Sequence, residues 1–446
     1  MRLILIFLIF LTSCSKDEKY DKQKAVSLYL NANKISVDKS LENKIFSIPP
    51  QKENNFWLGS SSYQNQYVEN IKKDFDYQKK FFSLSKKKSL SIAKNWQEFF
   101  IYLNDSSDSF VYSPIIKDNK IYFLTNSGRL LAYNLENKKK IWQLKLFDKL
   151  GLENFKTPHI SYYDDKIFAT IGSNKIVAVS FEGKIIWQKN ISSILISTPI
   201  SDGKTVFAIS DNNKLYALDA INGEIKWIHS GIDRSTSIFG SADPVIYKDI
   251  IFASYSSSEV YALNKNNGQE LWRQDLNFDK TINSDFYLSD ADASPIVKDN
   301  IVFLIANAGL MKAVNIKSGD LLWKKAIAGI VNFWIAGDYI YLINNDNKLL
   351  ALYKKNGGIK WISDLPDFKN KKKPITKYIY SGVSMAGDKI IISKNDGALI
   401  FASPFDGKIE KEITIGKKIF HSPIIVNNKI YIFSIGNYFA ELIEII

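Results

Sequence analysis

The chain has 446 residues, of which 46% are hydrophobic and 13% aromatic, a composition that suits a folded all-β body. A net charge of +13 raises the question of a nucleic-acid partner. The lysines are scattered among Asn, Ile and Asp along the whole sequence, and no nucleic-acid-binding module is present. The sequence therefore predicts no nucleic-acid partner.

The N-terminus has the pattern of a bacterial lipoprotein signal. Nine apolar residues, 3–11, follow Met1 and Arg2, which is too few to span a bilayer but right for a signal peptide. The LTSC segment that ends at Cys14 resembles a lipobox, in which the cysteine becomes the acylated first residue of the mature protein. Cys14 is the only cysteine in the sequence. We therefore predict a signal peptide over residues 1–13 and a lipid anchor with palmitate on Cys14.

A tether is expected between the anchor and the folded body. Residues 14–53 are polar and rich in Lys and Asn, which predicts a flexible segment that ends where residues 54–446 begin to fold. Residues 71–90 carry several lysines and predict a charged connection. Ser15 follows the cysteine where an aspartate would resemble the retention signal of the inner membrane, so the pattern favours the outer membrane.

The rest of the chain repeats one unit of four short strands. In residues 198–227, short apolar runs rich in Ile, Val, Phe and Tyr are separated by turns of Asp, Asn and Gly. One such sheet is too small to bury its own faces, so it must stack on copies of itself. Copies occupy residues 113–142, 157–187, 243–272, 294–323, 332–361, 382–413 and 422–446. This periodicity predicts an all-β fold, a β-propeller of four-stranded antiparallel blades.

The number of blades depends on how the ring closes. Residues 422–446 stop one strand short of a full unit, which would leave an open edge. Residues 91–102 offer the missing strand, and Trp96 lies there at the position of the repeat tryptophan. We therefore predict an eight-bladed propeller whose last blade is closed by this N-terminal strand. A seven-bladed ring is the alternative.

Residues that could carry catalysis are scarce in the sequence. His159, His229 and His421 fall in different repeats, whereas metal sites need several ligands at close spacing. No Gly-rich phosphate loop, GxSxG motif or nucleophile with an evident base is present. Six tryptophans recur in the fourth strand of successive repeats, which favours packing between blades over a substrate platform. The sequence therefore predicts no catalytic residue, no metal site and no cofactor.

The connections between repeats differ in length, and two long ones are neighbours. They follow Trp227 and Trp272, and a third long one follows Trp361. All such connections emerge on one face of a propeller, and long loops on a rigid scaffold commonly carry binding sites. The first contains the sequence SIFG and the second FYLSDAD. Apolar anchors beside carboxylates suit a protein partner with a basic, partly apolar surface, whereas Asp290 and Asp292 could equally form turns before the next repeat.

The lipobox cysteine, the tether and the DGxxYALDAxxGxxxW repeat resemble the family of the outer-membrane assembly factor BamB. The repeat alone is shared with pyrroloquinoline-quinone dehydrogenases. More specifically, residues 288–295, LSDADASP, resemble the family's LSDVDTTP segment, and residues 237–240, SIFG, resemble its SLRG loop. In that family the two loops bind the barrel-inserting subunit BamA. The resemblance implies a partner-binding site of Ile238, Phe239, Asp290 and Asp292, with Phe239 standing where the family has Arg and Thr236 where it has Leu.

The resemblance implies a non-catalytic scaffold of the β-barrel assembly (BAM) complex, lipid-anchored to the outer membrane on its periplasmic face. Expected partners are the periplasmic domains of BamA, other lipoproteins of the machinery and unfolded outer-membrane proteins, with the chain a monomer within a hetero-complex. Two other classes remain open. One is a quinoprotein dehydrogenase, which resembles the repeat but is longer and uses a metal-held quinone. The other is a ligand-binding propeller or surface adhesin.

Overall fold

Each sequence repeat forms one small antiparallel sheet, and the eight sheets are the blades of a β-propeller. The computed structural model describes residues 35–59, 69–75, 114–125, 127–137, 139–147, 158–170, 173–232, 242–277, 293–307, 309–329, 331–368, 377–414, 418–419, 421–435 and 440–445. Among them the only helix is one 3-10 turn, Lys39–Leu41, and no helix is long and apolar enough to cross a membrane. The predicted eight-bladed all-β propeller is confirmed.

Blades are numbered in chain order, and the strands within each blade are named A to D in the same order. Blade 1 contains β2 (Ile115–Lys117), β3 (Lys120–Leu124), β4 (Arg129–Asn134) and β5 (Lys140–Lys145), with an additional strand β1 (Trp57–Leu58) paired to β2. Blades 2 and 3 contain β6 (His159–Tyr163), β7 (Lys166–Thr170), β8 (Lys175–Ser180), β9 (Ile185–Asn190), β10 (Ile200–Ser201), β11 (Thr205–Ile209), β12 (Lys214–Asp219) and β13 (Ile225–Ser230).

The remaining blades follow the same order. Blades 4 and 5 contain β14 (Val245–Tyr247), β15 (Ile250–Ser254), β16 (Glu259–Asn264), β17 (Glu270–Asp275), β18 (Ile296–Lys298), β19 (Ile301–Ile305), β20 (Met311–Asn315) and β21 (Leu321–Lys325). Blades 6 and 7 contain β22 (Trp334–Ala336), β23 (Tyr339–Ile343), β24 (Lys348–Tyr353), β25 (Ile359–Asp364), β26 (Ser384–Ala386), β27 (Lys389–Lys394), β28 (Ala398–Ala402) and β29 (Ile409–Thr414). Blade 8 contains β30 (Lys418–Ile419), β31 (Ile424–Val426), β32 (Lys429–Ile435) and β33 (Ala440–Ile445).

Burial distinguishes the inner strands of a blade from its rim. In blade 3 the B strand β11 is buried throughout and the C strand β12 is buried except at its ends, because their apolar side chains face the neighbouring blades. The D strand β13 alternates between exposed and partly buried residues. The D strands therefore form the outer rim, and the A strands surround the centre of the ring.

The turns of the repeat explain its Asp and Asn residues. In blade 1 the A–B hairpin turns at Asp118 and Asn119, whose φ angles are 48° and 58°. A two-residue hairpin turn of this kind needs positive φ at both positions, which Asp and Asn tolerate better than other non-glycine residues. The same pair of left-handed residues recurs at Asp164–Asp165, Asp299–Asn300 and Asn427–Asn428.

The repeat tryptophans lie between blades, as the sequence predicts. Trp187 in blade 2 packs on Gly223 in the C–D turn of blade 3, where a Cβ atom would come within 2.6 Å of the ring. Its Nε1 donates a hydrogen bond to the carbonyl oxygen of Ala220 at 3.1 Å. The same packing of a tryptophan ring on a glycine joins the other neighbouring pairs among blades 1 to 7, at Trp142–Gly183, Trp227–Gly268, Trp272–Gly319, Trp323–Gly357 and Trp361–Gly407. Burial of each such ring stabilises the fold by about 2–3 kcal/mol.

Blade 8 is built from the C-terminal end of the chain. Strands β30 and β31 pair with two different parts of β32, and β33 pairs with β32 as well. In this blade β31, β32 and β33 take the positions A, B and C, and β30 is an additional short strand paired to the end of β32. The predicted closing strand, residues 91–102 with Trp96, lies outside the described residues, so this part of the prediction stays a prediction.

Residues 36–59 and 69–75, which we call the strap, pack against the propeller. The N–H of Asp38 donates to the carbonyl oxygen of Ile359 at 2.8 Å, and Phe46 stacks on Tyr339 with 3.9 Å between ring centroids. Residues 36–446 form one compact unit, whereas the sequence predicts a flexible tether as far as residue 53. Residues 36–53 of the predicted tether therefore pack on the blades through the aromatic and backbone contacts of the strap, and the domain boundary stays a prediction.

Candidate functional site

The propeller has two different faces. Since the strands of a blade alternate in direction, the A–B and C–D turns lie at one end, which we call the AB face. The B–C turns and the D–A connections between blades lie at the opposite end, the DA face. The two long neighbouring connections follow β13 and β17 and hence belong to the DA face. Their residues 233–241 and 278–292 lie outside the described residues, as do Ile238, Phe239, Asp290, Asp292 and Cys14.

The structure does describe the ends of these two connections, and it joins them. Asp243 follows the first connection and Ser294 follows the second. The N–H of Asp243 donates to Oγ of Ser294 at 3.0 Å, and Oδ1 of Asp243 accepts from the N–H of Thr198 at 2.7 Å. Asp243 and Thr198 are both buried. The two predicted binding loops therefore rejoin the propeller at a shared, hydrogen-bonded base.

These contacts belong to a longer chain of hydrogen bonds around the centre of the DA face. Each member stands at or just before the A strand of its blade and bonds to its counterpart, or to a residue beside it, in the next blade. The bonds are His159 Nδ1 to Thr198 Oγ1 (3.1 Å), Ser294 N to Asn332 Oδ1 (3.3 Å), Val383 N to Asn332 O (3.3 Å) and Ser422 Oγ to Gly382 O (3.1 Å). We call this chain of hydrogen bonds the inner ring. It explains why a polar residue precedes the A strand in most repeats.

Asn213, in the B–C turn of blade 3, fixes the start of the first connection. Its Nδ2 donates to the carbonyl oxygen of Ile232 at 2.7 Å, and its own carbonyl accepts from the N–H of Gly231 at 2.8 Å. Its Oδ1 accepts from the N–H and Oγ of Ser256 in blade 4, at 3.0 and 2.9 Å. Asn213 is buried and has a φ of 55°. One side chain thus ties the beginning of the loop to two blades.

A cluster of aromatic and titratable side chains lies between blades 3 and 4, and includes His229 on β13, the strand that leads into the first connection. Nδ1 of His229 is 2.9 Å from Oη of Tyr255, and the ring of His229 lies 4.7 Å from that of Tyr261. Oη of Tyr261 donates to Oε2 of Glu259, which is buried. Burial lowers the pKa of His229 and raises the pKa of Tyr255. The neutral forms of both are favoured, so the cluster is a packed, uncharged contact between blades 3 and 4.

Exposed apolar side chains lie next to this base. Ile228 on β13 is 47% exposed, and Ile232, the last described residue before the first connection, is 53% exposed. A single exposed apolar side chain is common on the surface of a folded protein, but two at the same edge add apolar area where the first connection begins. This edge of blade 3 therefore carries exposed apolar side chains where the first connection begins.

The described residues hold no group of three or more His, Cys, Asp or Glu side chains that could bind a metal ion. The histidines lie in blades 2, 3 and 8. Burial lowers the pKa of His159 to about 3 and that of His421 to about 4, so both are neutral near pH 7. Their role in the described structure is packing and hydrogen bonding.

The sequence pointed to the loops but missed the residues that hold their ends. Asp243 and Ser294 each precede a proline at the start of a repeat, and this recurring pair was the signal for the inner ring. Asn213 occupies a turn position that the repeat fills with many polar residues, so no pattern set it apart. Its two-blade contact follows only from the three-dimensional arrangement.

Comparison with known proteins places the chain among propellers of one family. The sequence profile described as outer membrane protein assembly factor BamB matches residues 139–363. Outer membrane protein assembly factor BamB of Yersinia pestis is 23% identical over 360 residues, covering 79% of this chain and 86% of the relative.

Two solved structures have the same fold. BamB from Moraxella catarrhalis matches with a TM-score of 0.62 and 16% identity, covering 74% of this chain and 94% of that one. A europium-containing methanol dehydrogenase matches with a TM-score of 0.54 and 12% identity, covering 73% of this chain and 82% of that one. At these identities the matches show a shared propeller architecture and leave the activity of the chain open.

Proposed function

Since the chain belongs to the family of outer membrane protein assembly factor BamB, we propose that it is a non-catalytic scaffold of the β-barrel assembly machinery. It binds the barrel-inserting subunit and assists the folding and insertion of outer-membrane proteins. The observation that carries the proposal is the bond between Asp243 and Ser294, which gives the two long connections one common base. A rigid base keeps the ordering cost of binding low.

The partner contact is assigned to Ile238 and Phe239 in the first connection and to Asp290 and Asp292 in the second. Support comes from the consecutive blades that carry these connections and from the two blades that Asn213 links. The isoleucine and phenylalanine would enter an apolar pocket, and the carboxylates would pair with basic side chains at its edge. Phe239 replaces a charged residue of the family, so the apolar part of the contact is larger here.

The proposed location rests on the predicted lipobox at Cys14. Acylation of Cys14 would attach the chain to the periplasmic face of the outer membrane, because each buried acyl CH₂ contributes about 0.8 kcal/mol. Membrane fractionation of the Cys14→Ser variant is expected to shift the protein from the membrane to the soluble fraction. Retention of that variant in the membrane would contradict the anchor.

Open D-strand edges are a second feature suited to this function. Ile185 and Ile186 on β9, and Leu321 and Leu322 on β21, are adjacent aliphatic pairs with at least two fifths of each side chain exposed. An edge strand with exposed apolar residues can accept a further strand from another chain. Such edges would bind extended segments of unfolded outer-membrane proteins.

The rival function is a quinoprotein dehydrogenase, which the fold similarity to a methanol dehydrogenase favours. Dye reduction by the purified chain, supplied with pyrroloquinoline quinone and calcium, separates the two. The scaffold function predicts no turnover above a heat-denatured control. Quinone-dependent turnover would contradict the scaffold function and would show that the chain is an enzyme.

Affinity purification from native membranes tests the proposal most broadly. The full chain, tagged at its C-terminus and solubilised in mild detergent, is expected to bring along the barrel-inserting subunit and other lipoproteins of the machinery in near-stoichiometric amounts. A matched preparation of an unrelated outer-membrane lipoprotein sets the background. Recovery of the chain without any of these subunits would contradict the proposed function.

A further inference from the structure

The strap crosses the AB face and contacts successive blades along its path. It enters at the rim of blade 6, where Phe46 stacks on Tyr339 and meets the ring of Phe405 from blade 7 at 5.5 Å. The Nζ of Lys44 lies 3.3 Å from the centre of the Tyr353 ring. These contacts bury the aromatic side of the segment against two blades and fix where the strap begins to cross the ring.

The strap then passes over the A–B turn of blade 7. Nδ2 of Asn70 donates to Oδ1 of Asp388 at 2.6 Å. The N–H of Ile71 donates to Met385 O, and Ile71 O accepts from the N–H of Gly387, at 3.1 and 2.9 Å. Gly387 has a φ of +55°, and a Cβ there would lie 2.4 Å from the carbonyl oxygen of Lys73. The absence of a side chain at Gly387 permits this close passage.

Both parts of the strap hold the A–B turn of blade 8. The N–H of Asn427 donates to Asn54 O at 2.8 Å, and Nδ2 of Asn54 donates to Ile425 O at 2.7 Å. The second part binds the next residue of the turn, because Asn428 Oδ1 accepts from the N–H of Asp74 at 2.8 Å. Nζ of Lys73, a buried lysine, donates to Asn428 O at 2.8 Å.

The first part of the strap continues from blade 8 into blade 1. Trp57 and Leu58 form β1 and pair with Ile116 and Ile115 of the blade 1 A strand. Trp57 is only 6% exposed. It belongs to one apolar cluster that contains residues of both blades, Ile116, Ile121, Phe123, Leu131, Tyr133 and Leu135 from blade 1 and Ile424, Val426 and Tyr431 from blade 8. Trp57 thus lies at the seam where the last blade meets the first.

The seam differs from every other boundary in the ring. Consecutive blades are joined by the polypeptide itself, and the six Trp–Gly contacts join blades 1 to 7. Blade 8 and blade 1 come from opposite ends of the repeat region, and no segment among the described residues links them directly along the chain. Bringing such distant segments together costs conformational entropy that local contacts must offset.

We propose that the strap is the clasp of the propeller, with Asn54 and Trp57 joining blade 8 to blade 1 and the second part holding the turn of blade 8. This inference concerns closure of the ring and is independent of the proposed function. The clasp stabilises the seam selectively, so its loss opens blades 8 and 1 before the other blades. Blades 3 and 4, which carry the predicted partner loops, stay closed.

Hydrogen–deuterium exchange on the full chain tests the clasp. Trp57→Ala is expected to accelerate amide exchange in β2, β31 and β32 by about tenfold or more, with little change in β14 to β16 of blade 4. Phe46→Ala is the matched control, since it removes an aromatic residue of the strap away from the seam. It should accelerate exchange in blades 6 and 7 only. Uniform acceleration across all blades, or an unchanged seam, would overturn the proposal.

A milder variant covers the case in which Trp57→Ala fails to fold. Asn54→Ala keeps the strap backbone and removes only the side-chain bond to Ile425 O. Exchange is expected to be a few-fold faster in β31 and β32 and unchanged in blade 4. If the seam of Asn54→Ala exchanges at the wild-type rate, the clasp is wrong and the ring is closed by other segments.

Discussion

The N–H of Asp243 donates to Oγ of Ser294 at 3.0 Å, which links the residues that end the two long connections of the DA face. Each residue lies at the start of its own blade, so the bond also joins blade 4 to blade 5. Oδ1 of Asp243 extends the link to Thr198 in blade 3. A surface formed by both connections is therefore built on three blades that cannot move independently.

Replacing Asp243 should destabilise this base. Asp243→Ala leaves the buried N–H of Thr198 without its carboxylate partner, which costs about 1–3 kcal/mol. Ser294→Ala removes a single hydroxyl and should cost about 1 kcal/mol. Thermal unfolding is expected to rank the midpoints as wild type, then Ser294→Ala, then Asp243→Ala. A midpoint for Asp243→Ala equal to that of the wild type would contradict the role of the inner ring.

Asn213 and Asn347 offer a matched pair for separating positioning from stability. Both are buried turn asparagines with a φ of 55°, and Nδ2 of Asn347 donates to Oδ1 of Asp367 in blade 6 as Nδ2 of Asn213 does to Ile232 in blade 3. Asn213→Ala and Asn347→Ala should lower the unfolding midpoint by similar amounts. Only Asn213→Ala should weaken binding to the barrel-inserting subunit, by about tenfold. Equal binding by the two variants would show that the turn of blade 3 does not contribute to the partner site.

The Trp–Gly contact between blades can be tested at Gly223. Gly223→Ala places a Cβ 2.6 Å from the ring of Trp187 and adds strain at a φ of +76°, so we expect a loss of about 2–4 kcal/mol. Gly309→Ala is the control, because its φ is +100° but no atom lies within 4 Å of the added carbon. Chemical denaturation should show a clearly larger loss at Gly223. Similar losses would mean that backbone strain, and not the ring contact, sets the requirement for glycine.

The buried His159 predicts a dependence of stability on pH. Burial holds its pKa at about 3, below the ordinary value of 6.5, so the unfolded chain binds a proton that the folded chain does not. The free energy of unfolding is therefore not reduced by this histidine above pH 6.5. It falls as the pH drops from there towards 3, by up to roughly 1.4 kcal/mol per pH unit, because protonation then favours the unfolded chain. His159→Gln keeps a polar partner for Thr198 and should flatten the fall of the unfolding midpoint between pH 7 and 4.5. If the unfolding midpoint falls equally steeply with pH in the wild type and in the variant, groups other than His159 cause the loss of stability in acid.

The fold could be predicted from the repeat in the sequence, because a unit as small as residues 198–227 can bury its apolar strands only by stacking on copies of itself. The role of Trp187 and its equivalents followed from the same logic. The strap was not predictable, since Phe46 and Trp57 lie in apolar runs of only two or three residues, and Tyr339 and the blade 8 side of the seam are far away in the sequence. Asn213 could not be predicted because many turn residues of the repeat are polar. Only the three-dimensional structure shows that this one contacts two blades.

Charge reversal in the second connection tests the central claim directly. The Asp290→Lys/Asp292→Lys variant is compared with Glu136→Lys/Glu182→Lys, which makes the same charge change at exposed C–D turns on the AB face. Both are expected to fold with wild-type circular dichroism. Co-purification of the barrel-inserting subunit from native membranes should fall at least about tenfold for the aspartate variant and stay at the wild-type level for the glutamate variant. Equal recovery of the subunit with wild type and both variants would contradict the proposed partner site.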